Sequence, residues 1–170
     1  MEHFIIPFSA EDFWGKLLCL DAEVSYFSNE GYYLPGNIYI NPAPHCELQA
    51  RFSLTNLNLV ISIESIRSDT PNCWHGTLML NSLLSTVEYL EQSTGYRCNI
   101  ITGWLSPIDK ADGRWKKSLP FYQNFPQHNT SHYGISCLFE NKETGRIYAD
   151  YSEFMEESSD GRVIFTLMHG

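Results

Sequence analysis

The ten residues PNCWHGTLML, Pro71 to Leu80, lie where one hydrophobic period gives way to another. Upstream, Leu57, Leu59, Ile61 and Ile63 alternate with Asn58, Ser62 and Glu64, the period of a strand with one buried face. Downstream, Leu80, Leu83, Leu84, Val87 and Leu90 fall on one face of a helix, and Gly95 supplies a natural C′ residue. The quoted stretch is therefore a strand-to-helix turn. Its glycine stands near a helix N-terminus, where unpaired amides and the helix dipole favour an anion. It holds no Lys or Arg to reinforce them.

Working towards the N-terminus, Cys46, Leu48, Ala50, Phe52 and Leu54 alternate with Glu47, Gln49, Arg51 and Ser53. With a turn at Thr55-Asn56, this run and the next form an antiparallel hairpin. Residues Asn29 to Pro44 read as a loop plus a short strand. Phe4 to Phe8 reads as a strand. Ser9 and Asp12 resemble a capping box, and Phe13, Leu17 and Leu20 follow at helical spacing, so a helix is expected there.

Working towards the C-terminus, Arg97 to Leu105 has a strand pattern that Ser106-Pro107 breaks. SLPFYQNF, Ser118 to Phe125, predicts a helix with Ser118 near its cap and Pro120 in its first turn. Ile135 to Phe139 and Arg146 to Tyr151 read as strands joined by a turn at NKETG. Val163 to Met168 reads as a last strand, entered through Asp160-Gly161. No linker or repeat interrupts the order, so a single α+β domain over 1–170 is expected, with a largely antiparallel sheet flanked by helices.

Of the 170 residues, 43% are apolar and 18% charged, a globular composition. The net charge of −9 argues against nucleic acid, whose phosphates need clustered Lys and Arg, and suits a basic protein partner. No apolar run has the length of a membrane span, and the N-terminus lacks the basic and apolar regions of a signal peptide. Cys19, Cys46, Cys73, Cys98 and Cys137 are scattered and form no C-x-x-C pair, which fits reduced thiols in a cytoplasmic protein. No metal site is expected: His75 after Cys73 lacks a second ligand pair, and His128 and His132 flank an apparent loop. Trp74, Trp104, Trp115, Tyr32 and Tyr33, in or beside predicted loops, are candidate interface anchors.

Three pieces in order resemble the central half of the GNAT (GCN5-related N-acetyltransferase) superfamily. VISIESI, Val60 to Ile66, resembles its central strand. GTLMLNSLLSTVEYLEQSTGYRCNIITGWLSP resembles the helix and strand that follow. SLPFYQNF resembles its "PFY" helix start. The resemblance spans Leu57 to Phe125 and implies a GNAT-like mixed, largely antiparallel sheet. It also implies that the loop Cys73, Trp74, His75, Gly76, Thr77 and Leu78 corresponds to the family's acetyl-CoA pyrophosphate loop. Gly76 matches that loop's first glycine. Cys73 replaces its basic or amide residue and Leu78 its second small residue. After PFY, the family's basic residue and Gly-Phe are replaced by Gln123-Asn124-Phe125, and the N-terminal third shows no match to the family's two helices and substrate loop.

Acetyl transfer to an amine requires a base, an acid for the thiolate and a donor that polarises the thioester. The resemblance makes Glu64 the possible base and Tyr122 the possible acid. Two readings follow. In the first, the chain has a GNAT-like fold without catalysis, needs no cofactor and binds a protein, with an inhibitor or immunity protein of a basic toxin as its narrower form. In the alternative, it is an acetyl-CoA-dependent N-acetyltransferase that uses Glu64, Tyr122 and the loop amides.

Overall fold

The computed structural model describes residues 2–11, 15, 17–26, 36–43, 45–68 and 75–169. The chain divides into two compact units, Met1–Asn99 and Ile100–Gly170. Both combine antiparallel strands with helices, so the fold class is α+β.

In the first unit the strands are β1 (Glu2–Glu11), β2 (Leu17–Tyr26), β3 (Gly36–Ala43), β4 (Cys46–Thr55) and β5 (Asn58–Ser68), followed by helix α1 (His75–Thr94). Each strand pairs antiparallel with the next, giving a meander in the order β1-β2-β3-β4-β5. The period-two pattern of β4 and β5 is realised in full: Cys46, Leu48, Ala50, Phe52, Leu54, Leu59, Ile61 and Ile63 are all buried. Helix α1 packs across all five strands. Burying each such Leu or Ile contributes roughly 1.5–3 kcal/mol, so this inner face is the unit's core. Helix α1 ends as its sequence predicts, with Gly95 at φ 77° donating its N–H to Glu91 O at 2.8 Å.

Three local expectations are corrected in this unit. The helix expected after Ser9 is absent: β1 continues to Glu11 and β2 begins at Leu17, with Ser9 opposite Cys19. Leu20, Ala22 and Val24 carry a buried period-two pattern, and its strand pairing prevails over the helical spacing of Leu17 and Leu20. Asp12 and Phe13 lie outside the described residues. The hairpin turn is Asn56-Leu57 rather than Thr55-Asn56, because Thr55 pairs with Asn58. A two-residue loop of this kind needs positive φ at both positions, here 51° and 66°. Third, β5 carries one more residue than β4 between the pairs Gln49–Ser65 and Ala50–Ile63, so Glu64 is a bulge residue.

The second unit contains β6 (Ile100–Leu105), α2 (Pro107–Ala111), α3 (Trp115–Asn124), a 3₁₀ turn (Phe125–His128), β7 (Gly134–Asn141), β8 (Ile147–Tyr148), α4 (Tyr151–Glu157) and β9 (Gly161–Met168). Its strands run antiparallel in the order β6-β9-β7-β8. Aromatic packing holds the helices: Phe154 of α4 stacks on Trp115 of α3 at 5.3 Å and on Phe139 of β7 at 5.5 Å. Helix α3 starts at Trp115, three residues before the expected Ser118, which leaves Pro120 inside it. Arg114 is already helical and accepts the amides of Lys117 and Ser118, while the buried Trp115 fixes the first turn. The strand expected over Arg146–Tyr151 shrinks to Ile147–Tyr148. Asp150 then caps α4 by accepting the Ser152 N–H at 2.8 Å. The Asp150…Glu153 spacing was the helix-start signal in that stretch.

Candidate functional site

Four residues of the expected anion loop, His75, Gly76, Thr77 and Leu78, form the first turn of α1, and Cys73 and Trp74 lie outside the described residues. The amides of such a turn have no intrahelical acceptor and carry the positive end of the helix dipole. The turn has no acidic side chain, and no Lys or Arg. His75 is only 8% exposed, and its Nδ1 is buried without a hydrogen-bond partner. Gly76 and Thr77 are half-buried, and Leu78 is buried. An imidazole nitrogen and several backbone N–H groups thus share one helix start. That donor set favours an anion, but no Lys or Arg in Pro71–Leu80 reinforces it.

Glu64 lies on the opposite, outer face of the β1–β5 sheet. The bulge carries its carboxylate to Arg51 of β4, whose Nε approaches Oε1 at 2.7 Å. Both side chains are in water. Glu47 and Arg67 face each other four residues along β4 from Arg51. Two further carboxylates on this face, Asp21 and Glu23, stand opposite Pro7 and Ile5 on β1, and Glu23 stands opposite Tyr39 on β3. Among the described residues, none of these register partners is a cation. Tyr39 donates its hydroxyl to Glu47 at 3.1 Å.

Tyr122 belongs to the second unit. It is buried on α3, with its ring 5.3 Å from Phe121 and edge-on to Phe165 at 5.9 Å. Burial, with smaller contributions from Asp109 and Cys137, raises the phenol pKa well above its ordinary value. The hydroxyl therefore keeps its proton. Passing that proton to a thiolate, whose ordinary pKa is about 8.5, is strongly uphill.

The remaining candidates separate by burial. Trp115 is in the core, Trp104 is exposed, and Tyr32 and Tyr33 lie outside the described residues. Cys46 and Cys98 are buried thiols, and burial pushes the half-buried Cys137 thiol up to about 12. His132 lies against the Tyr133 ring at 4.3 Å. The Asn129 side chain donates to Tyr133 O at 2.7 Å and accepts from Ser131 N and Oγ. Among the described residues no group of three metal-ligating side chains converges. No described helix is long and apolar enough to cross a membrane.

The sequence reading did not single out Asp21, Glu23 or Arg51 as site residues. A signal for the first two was present, since they alternate with Leu20, Ala22 and Val24, but the helical reading of the preceding residues hid it. Compared with family models, with curated proteins and with solved structures, the chain matches none.

Proposed function

We propose that this chain is a divergent GNAT-like protein without catalytic activity, which binds a basic protein partner through the outer face of β1–β5. The succession β5, α1, β6 and α3 agrees with the central strand, helix, following strand and PFY helix that carry the family resemblance. Where the family has two N-terminal helices and a substrate loop, this chain has the β1–β2 hairpin over Glu2–Tyr26. That difference supports a changed role for the acceptor side.

The observation that carries the reading is the state of the outer-face carboxylates. Glu64, which catalysis would need as a free base, is held at 2.7 Å by Arg51, whereas among the described residues the register partners of Asp21 and Glu23 are Pro7, Ile5 and Tyr39, none a cation. Such a face attracts cationic side chains and steers a basic partner, in keeping with the net charge of −9. An inhibitor or immunity protein of a basic toxin is one form of this role.

Titration with a lysine-rich peptide at low salt tests the proposal. The double variant Asp21→Lys, Glu23→Lys should weaken binding by about tenfold or more. Equal affinity for both proteins would remove this face from the interface.

The alternative, an acetyl-CoA-dependent N-acetyltransferase, is favoured by one observation. The unpartnered Nδ1 of His75 sits beside the α1 amides, and a buried polar atom left unpaired costs about 1–3 kcal/mol. In that reading the pyrophosphate is held by His75 and the amides of Gly76 to Leu78. There acetyl-CoA would supply the acetyl group, and the family resemblance gives Glu64 the role of base and Tyr122 that of acid.

A further inference from the structure

In the second unit, helices α3 and α4 pack on one face of the sheet, Tyr122 against Phe165 and Phe154 against Phe139. The opposite face carries Ile100, Trp104, Ile147 and Met168, all exposed. Trp104 leaves 62% of its surface in water, yet its ring is pinned, because the indole N–H donates to Asp160 Oδ1 at 2.8 Å. The register lays one row across the four strands: Trp104 on β6, Arg162 on β9, Glu140 on β7 and Ile147 on β8. Read across, that row is apolar, cationic, anionic, apolar. Beyond it, Lys142 donates its backbone N–H to Asp160 O at 3.0 Å, and there the signs are exchanged, with the anion on the β9 side and the cation on the β7 side. Towards the other end, Ile164 stands opposite Leu138 and Thr166 opposite Ser136. The charges balance within the face: Arg162 Nε donates to Glu140 Oε1 at 2.8 Å, and Lys142 Nζ lies 3.5 Å from Asp160 Oδ2.

We propose that this face binds a second copy of the chain, in a two-fold dimer whose axis runs along the strands between β9 and β7. Rotation about such an axis reverses the order β6-β9-β7-β8 and lays each row over itself. It sets Trp104 over the partner's Ile147, Arg162 over the partner's Glu140, Asp160 over the partner's Lys142 and Ile164 over the partner's Leu138. All four charges meet their opposites. Charge complementarity of the face with its own reverse thus selects the occupant, whereas a partner of one sign would be repelled by half of these groups. Sheets stacked about 10 Å apart with aligned strands interdigitate side chains in this way, and the pinned Trp104 ring has little freedom left to lose. Four strands and the eight residues of β9 span about 20 Å by 27 Å, or about 500 Å² per copy, the low end of specific interfaces. The dimer is therefore weak and reversible. It uses the second unit alone and is independent of the reading given under Proposed function.

The test is analytical ultracentrifugation of the full chain from about 5 to about 500 µM, the affinity range of small interfaces. The dimer fraction should rise with concentration. Glu140→Arg and Arg162→Glu should each weaken dimerisation by about tenfold or more, since each sets like charges against one another across the axis. Mixed in equal amounts, the two variants should recover the dimer, because in the mixed pair both contacts are again opposite in sign. That recovery also shows that both variants fold. A second measurement needs no charge variant: with ¹⁵N-labelled tryptophan, the Trp104 indole signal of the unaltered chain, identified by its loss in Trp104→Phe, should shift as the dimer forms. A chain that stays monomeric at the highest concentration would overturn the proposal. So would a dimer that both single variants leave intact, a mixture no stronger than its components, or a Trp104 signal that stays still while the dimer forms.

Discussion

Gly161 and Phe154 approach so closely that a Cβ on Gly161 would stand 2.7 Å from Phe154 Cζ and 2.2 Å from the carbonyl oxygen of Glu140. The first residue of β9 is therefore a glycine for want of space, not for its backbone freedom. Phe154 cannot retreat, because it is fully buried between Trp115 and Phe139. Gly161→Ala should destabilise the chain by about 1–3 kcal/mol, as overpacking of a close-packed core does. Urea unfolding measures this, and an unchanged midpoint would contradict the packing.

Leu57 offers the opposite case. It is 72% exposed and holds φ at 66°, a left-handed conformation that costs an L-residue roughly 1–2 kcal/mol. Glycine adopts that conformation freely but loses more entropy on folding. Leu57→Gly should therefore raise stability by a net of about 0.5–1 kcal/mol, seen as a higher thermal midpoint. A lower midpoint would mean that Leu57 makes a contact its exposure does not reveal.

Asp150 links α4 to pH. The Ser152 hydroxyl and amide both bind its carboxylate and lower its pKa below the ordinary value. The unfolded chain, with the higher pKa, takes up the proton more readily. The cap's contribution is thus complete above the unfolded value of about 3.9 and is lost as pH falls through the lower folded value. Asp150→Asn keeps a capping oxygen but has no proton to gain there. In thermal unfolding, its loss of stability below about pH 4 should be shallower than that of the unaltered chain. Parallel acid limbs would show that the charge of Asp150 is immaterial.

Glu64→Gln separates structure from chemistry at the bulge. The ion pair with Arg51 is at the surface, so removing it should change stability by less than about 0.5 kcal/mol. A loss well above that value in urea unfolding would mean that the pair anchors the bulge.

Much of this fold was legible because its signals were local. The alternation through Cys46–Leu54 and Leu59–Ile63 predicts both the strands and their buried face, and Gly95 predicts where α1 ends. The misreadings arose where non-local pairing or packing decides. Leu17 and Leu20 sit at helical spacing, but their backbone is committed to β1. Pro120 suggests a first turn, but Trp115 buries itself one turn earlier and carries the helix start with it. The candidate site was legible only as residue types at positions. That Glu64 would be turned by a bulge towards Arg51, or that His75 would bury a nitrogen without a partner, depends on three-dimensional pairing that no spacing encodes. Trp104 was legible as a residue beside a loop, while its tie to Asp160 spans 56 positions of sequence.

The central proposal is that the chain works without acetyl-CoA, and calorimetric titration of acetyl-CoA into the intact chain tests it most directly. The account predicts no heat beyond dilution, since the α1 turn offers amides and one imidazole but no cation. Micromolar binding that Gly76→Pro abolishes would contradict it and hand His75 Nδ1 its missing partner.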